Sequence, residues 1–94
     1  MSSTLCMRKT PKPTKDEWHF ELPIKGIFAR RFYDHDGTLG GGLVTIGPDD
    51  LSWLEGVIGG LATAGTLDKK ELADLRAIRE HIHEGGTVDM WFEV

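Results

Sequence analysis

Asp34-His35-Asp36-Gly37 is the densest run in this 94-residue chain of groups able to bind a cation or move a proton. A calcium loop needs more oxygen ligands and a distal glutamate at fixed spacing, which do not follow here. Asp-Gly after a strand-like run is a hairpin signal, and a turn requires only what is present. Gly37, Gly40, Gly41 and Gly42 lack the Lys-Ser/Thr ending of a phosphate-cradling loop and lead into a strand pattern rather than a helix. His81 and His83 stand two apart on a helical segment, not at the i, i+4 spacing of a metal-binding pair. The single cysteine, Cys6, has no base at elbow or dyad spacing. These residues point to no catalytic residue, no metal and no cofactor, so a non-enzymatic protein is expected.

Two surfaces could bind a macromolecule instead. On a helix running from about Asp49, each residue advances roughly 100°. Leu51, Leu54, Val57, Ile58 and Leu61 then form one apolar stripe, while Ser52, Gly56, Gly59 and Thr63 gather opposite, with Gly60 at the margin and Trp53 beside it. A face of small side chains lets another backbone approach closely, so these six residues are the expected protein-binding site. The competing occupant is the chain's own next helix. The second surface is the outer face of a sheet, where alternation would bring His19, Arg31, Tyr33 and Trp91 outward as a stacking platform for a small ligand or nucleic acid.

The elements that position these groups follow from periodicity. Asp68 and Glu71 have capping-box spacing, with Leu67 and Leu72 at staple spacing. Leu72, Leu75, Ile78 and Ile82 continue a helical period, and Gly85-Gly86 supplies the stop. Val88, Met90, Phe92 and Val94 alternate with polar partners as a final strand. Gly47-Pro48-Asp49-Asp50 opens the preceding helix, which ends near Thr63–Gly65 unless Gly59-Gly60 stops it earlier. Trp18, Phe20, Leu22 and Ile24 alternate as a first strand that Pro23 must end or confine to an edge. Residues 27–33 and 38–46 read as a hairpin about Asp36-Gly37, with Phe28 and Phe32 on its inner face. Residues 1–15, polar and containing Pro11 and Pro13, read as a flexible basic tail, and residues 16–94 as a single domain. The expected fold is α+β: a two-layer sandwich, an antiparallel sheet of about four strands covered on one face by two helices, in the order β-β-β-α-α-β.

Charge and cysteine usage narrow the setting. The first fifteen residues carry four bases and no acid, and the remainder is net −8. Such an acidic body repels nucleic-acid phosphate and suits a partner protein with a basic surface. No apolar run is long enough to span a bilayer and no secretory h-region opens the chain, so no membrane association is expected. One cysteine fits a reducing, cytoplasmic compartment. The expected function is surface occlusion of a partner protein, as an inhibitor or immunity-type protein, with homodimerisation through the bare helix face. In size, acidity and lack of catalytic motif the chain resembles phage and mobile-element accessory proteins, a resemblance of composition that transfers no site residue.

Overall fold

A computed structural model describes residues 3–10, 17–34 and 42–93. In chain order these form β1 (Thr4–Thr10), β2 (Glu17–Phe20), α1 (Ile24–Asp34), β3 (Leu43–Ile46), a single 3-10 turn (Pro48–Asp50), α2 (Leu51–Ala64), α3 (Lys69–His83) and β4 (Thr87–Glu93). The four strands make one antiparallel sheet in the order β2-β1-β4-β3. The α+β two-layer class is the one the sequence implies. Its composition differs: the element order is β-β-α-β-α-α-β, and three helices rather than two supply the covering layer.

Two corrections explain the difference. Residues 4–10 do not belong to a tail. They are β1, an interior strand paired with β2 on one side and along its whole length with β4 on the other, from Thr4↔Glu93 to Thr10↔Thr87. Leu5 and Met7 join the core and are fully buried, and Cys6 between them is buried on the opposite face. Residues 27–33 are not a strand. They lie in α1, where Ile24, Phe28 and Phe32 recur every four residues and are all fully buried. A four-residue spacing places side chains on one face in either conformation. Here Gly26 and Arg30, which an extended backbone would put on that same face, are exposed, so the stripe of Ile24, Phe28 and Phe32 is helical.

The remaining elements form where their end signals lie. Glu71 N–H donates to Asp68 Oδ1 at 2.8 Å and Asp68 N–H to Glu71 Oε1 at 3.2 Å, a complete capping box at the start of α3. Gly65 ends α2 at φ 69°, and Gly85 follows α3 at φ 96°, both left-handed. Alpha-helix α2 runs unbroken through Gly59-Gly60. One core joins the layers, with Leu5, Met7, Val44, Ile46, Val88, Met90 and Phe92 from the sheet meeting stripes from all three helices.

Candidate functional site

Buried Leu54, Ile58 and Leu61 turn α2 onto the sheet. Advancing about 100° per residue, its two flanks then carry Glu55 and Trp53, and its outer face carries Ser52, Gly56, Gly59, Gly60 and Thr63. Both flanks are occupied. On one, Arg79 of α3 approaches Glu55 at 3.6 Å. On the other, Trp53 packs edge-on against Phe28 of α1, with ring centroids 5.1 Å apart at 82°. The Arg31 guanidinium lies over the Trp53 ring, 4.6 Å from its centroid, and pairs with Asp50, whose other oxygen accepts the Gly47 N–H at 3.0 Å.

The outer face is open. Ser52, Gly56, Gly59, Gly60 and Thr63 are all exposed, and a Cβ added at any of the three glycines would meet no atom within 4 Å. Helix α3 therefore lies beside α2 rather than across it. Trp53, expected as part of the binding face, is half-buried and held between Phe28 and Arg31. The face itself bears no charge, whereas neighbouring α3 carries seven charged residues, Lys69, Lys70, Glu71, Asp74, Arg76, Arg79 and Glu80.

The stacking platform of His19, Arg31, Tyr33 and Trp91 does not assemble. Arg31 and Tyr33 belong to α1, in the helical layer, while His19 and Trp91 lie on the outer face of the sheet. There the register lines up His19, Cys6, Trp91 and Leu43 across the four strands. Arg8 covers the Trp91 ring at 5.4 Å, and the adjacent row is Glu17, Arg8, Asp89 and Thr45. Cys6 is only 1 % exposed. Burial, reinforced by the carboxylates of Glu93 and Glu17, pushes its thiol up from 9 to about 11, so at neutral pH it is an unreactive thiol.

The acids expected to form a docking patch are largely engaged within the chain. Asp50 holds Arg31, Glu55 faces Arg79, Asp74 binds Lys70 at 2.9 Å, and Asp68 and Glu71 cap α3. Glu21 accepts from Thr4 and from Lys25, and these hydrogen bonds hold its carboxyl below the usual range.

The histidines separate. His83 is exposed, whereas His81 Nε2 lies 2.9 Å from the Thr10 carbonyl and 3.0 Å from that of Thr87, tying α3 to the ends of β1 and β4. Gly86 makes room for its ring, which a Cβ there would overlap. Of the candidate turn and glycine loop, Asp34 closes α1 and Gly42 precedes β3. His35, Asp36, Gly37, Gly40 and Gly41 lie outside the described residues. Among the described residues no three His, Cys, Asp or Glu side chains are grouped to hold a metal, and no helix is long and apolar enough to cross a membrane.

Sequence reasoning missed one further feature, a groove of about 590 Å³ beside α1 lined by Leu22, Pro23, Gly26, Ile27 and Arg30. Its signal was present: read as a helix, residues 24–34 place Gly26, Arg30 and Tyr33 on a single outward strip, with Leu22 just before it. Comparison with protein families, with curated proteins and with solved structures finds no match to this chain.

Proposed function

We propose that this chain is a small, non-enzymatic protein-binding module that acts by covering a surface of another protein with the outer face of α2. One observation carries the reading: three glycines, Gly56, Gly59 and Gly60, occupy outward positions of a continuous helix where nothing in the fold requires glycine. Each weakens the helix by about 0.8–1 kcal/mol relative to alanine. The face is also without charge, unlike the polar outer surface usual for a helix on a soluble protein. A close-approaching partner backbone accounts for both properties.

Homodimerisation through this face is part of the proposal, because an uncharged surface can meet its own copy without burying an ion. Exposed Asp49, at the border, suits a second protein with a basic surface. An inhibitory, immunity-type or phage-accessory role in the cytoplasm fits such a module. Light scattering and partner capture with Gly56→Leu test the reading. The isobutyl group projects into open space, so the fold is expected to survive while association is lost. Unchanged oligomer size together with unchanged partner capture would remove the proposal.

A further inference from the structure

We propose that the outer face of α1 is a second, separate interaction surface, one that receives an acidic amphipathic helix of a partner protein. Leu22 and Tyr33 are 69 % and 65 % exposed, the two most exposed large hydrophobic side chains among the described residues. Both lie on one strip. Leu22 precedes the helix and its side chain lies against Gly26, and Gly26, Arg30 and Tyr33 then follow at helical spacing along roughly 10 Å of axis. Leu22, Gly26 and Arg30 line the groove together with Pro23 and Ile27. Gly26 leaves room there for the Leu22 side chain, since a Cβ would meet Leu22 Cδ2 at 3.3 Å.

Helix α1 with its lead-in, residues 22–34, contains Lys25, Arg30 and Arg31 against one acid, Asp34, in a chain of net charge −4. Two of the three bases have work inside the fold. Lys25 donates to the Ser3 carbonyl at 2.7 Å and reaches Glu21 at 3.3 Å, and Arg31 pairs with Asp50. Arg30, which lines the groove, is exposed, and no hydrogen bond or ion pair joins it to another described residue.

An apolar groove ending in a guanidinium calls for an apolar group followed by an anion. A carboxylate matches the planar donor fork. On a partner helix, an apolar side chain and an Asp or Glu three or four residues later stand one turn apart on one face. The same separation divides Gly26 from Arg30. Tyr33, one turn further, offers the rigid aromatic contact common at the centre of protein interfaces. A nucleic-acid backbone is a poorer occupant, because one guanidinium on an acidic protein gathers few phosphates.

A phage-displayed library of random 16-residue peptides, selected on the wild-type protein and counter-selected on Arg30→Glu, tests this surface. The expected winners carry Leu, Ile or Phe with Asp or Glu three or four residues on. A synthetic winner should bind Arg30→Glu and Leu22→Ser at least tenfold more weakly, and should lose as much when its acid becomes Gln. Both substitutions are at exposed positions, and circular dichroism checks that each variant is folded. Peptides that fail to discriminate Arg30→Glu, or a basic consensus, would overturn the proposal. So would oligothymidylate or phosphatidylglycerol vesicles binding at Arg30 where peptides do not. Winners should bind Gly56→Leu normally, so failure on α2 and failure on α1 are read separately.

Discussion

Replacing the outward glycines of α2 by alanine should make the protein more stable and less able to associate. The built Cβ atoms at positions 56, 59 and 60 have no neighbour within 4 Å, so the methyls add no clash. What remains is the backbone term: alanine in a helix interior is favoured over glycine by about 0.8–1 kcal/mol, because the unfolded glycine has more freedom to lose. Three substitutions on a solvent-facing strip should sum to roughly 2.5–3 kcal/mol. That is a large share of the ~5–15 kcal/mol that keeps a domain folded. For a chain of this length it corresponds to a rise in Tm of order 10–20 °C. Calorimetry and urea titration of the single, double and triple variants measure it. If the wild-type chain dimerises through this face, its Tm should rise with protein concentration, and that dependence should fade as methyls hold the helices apart. A triple variant less stable than the wild type, or gaining under 0.5 kcal/mol, would refute the premise that this side of the helix is open and helical throughout.

Two further outcomes follow from the interior. Gly86→Ala should destabilise by about 1–3 kcal/mol, because its methyl overlaps the His81 ring and forces that side chain off the Thr10 and Thr87 carbonyls; an unchanged urea midpoint would show that the ring moves freely. Cys6 should resist thiol reagents at pH 8 until the protein unfolds, and its folded-state preference for the neutral thiol stabilises fully below pH 9, the contribution being lost as pH rises from 9 to about 11. Cys6→Ser should remove that alkaline decline, and a decline that persists in the variant would assign it elsewhere.

The parts of the fold legible in the sequence are those whose ends are marked by local chemistry. Asp68 with Glu71, Gly65, Gly85 and the Pro48-Asp49-Asp50 turn place α2 and α3 close to their observed limits, and alternation places β4. The open face of α2 follows from the same wheel. Helix α1 was not legible because Phe28 and Phe32 share a face whether the backbone is extended or helical. Gly26 and Arg30 were the residues that separate the two, since a strand would turn them inward beside the phenylalanines and the helix exposes them. Strand β1 was obscured because three of its four outward residues, Thr4, Arg8 and Thr10, are polar and its stretch is followed by prolines. Only pairing with residues more than seventy positions away turns Leu5 and Met7 into core. The platform of His19, Arg31, Tyr33 and Trp91 fell with the α1 assignment, since moving two of its members into a helix placed them in the other layer. Arg31 acquired a different role there, bracing Trp53 and Asp50.

The pairing of β1 with β4 joins residues 4–10 to residues 87–93, so the middle of the sheet is its longest loop closure. Among the described residues β3 has β4 as its only strand neighbour, and β1 without β4 keeps just the four-residue β2. The sheet is therefore zipped late, after the helices have an independent reason to form, and the chain should fold slowly for its size. Until then both halves expose unpaired strand edges, and the partly assembled chain is the state most vulnerable to aggregation.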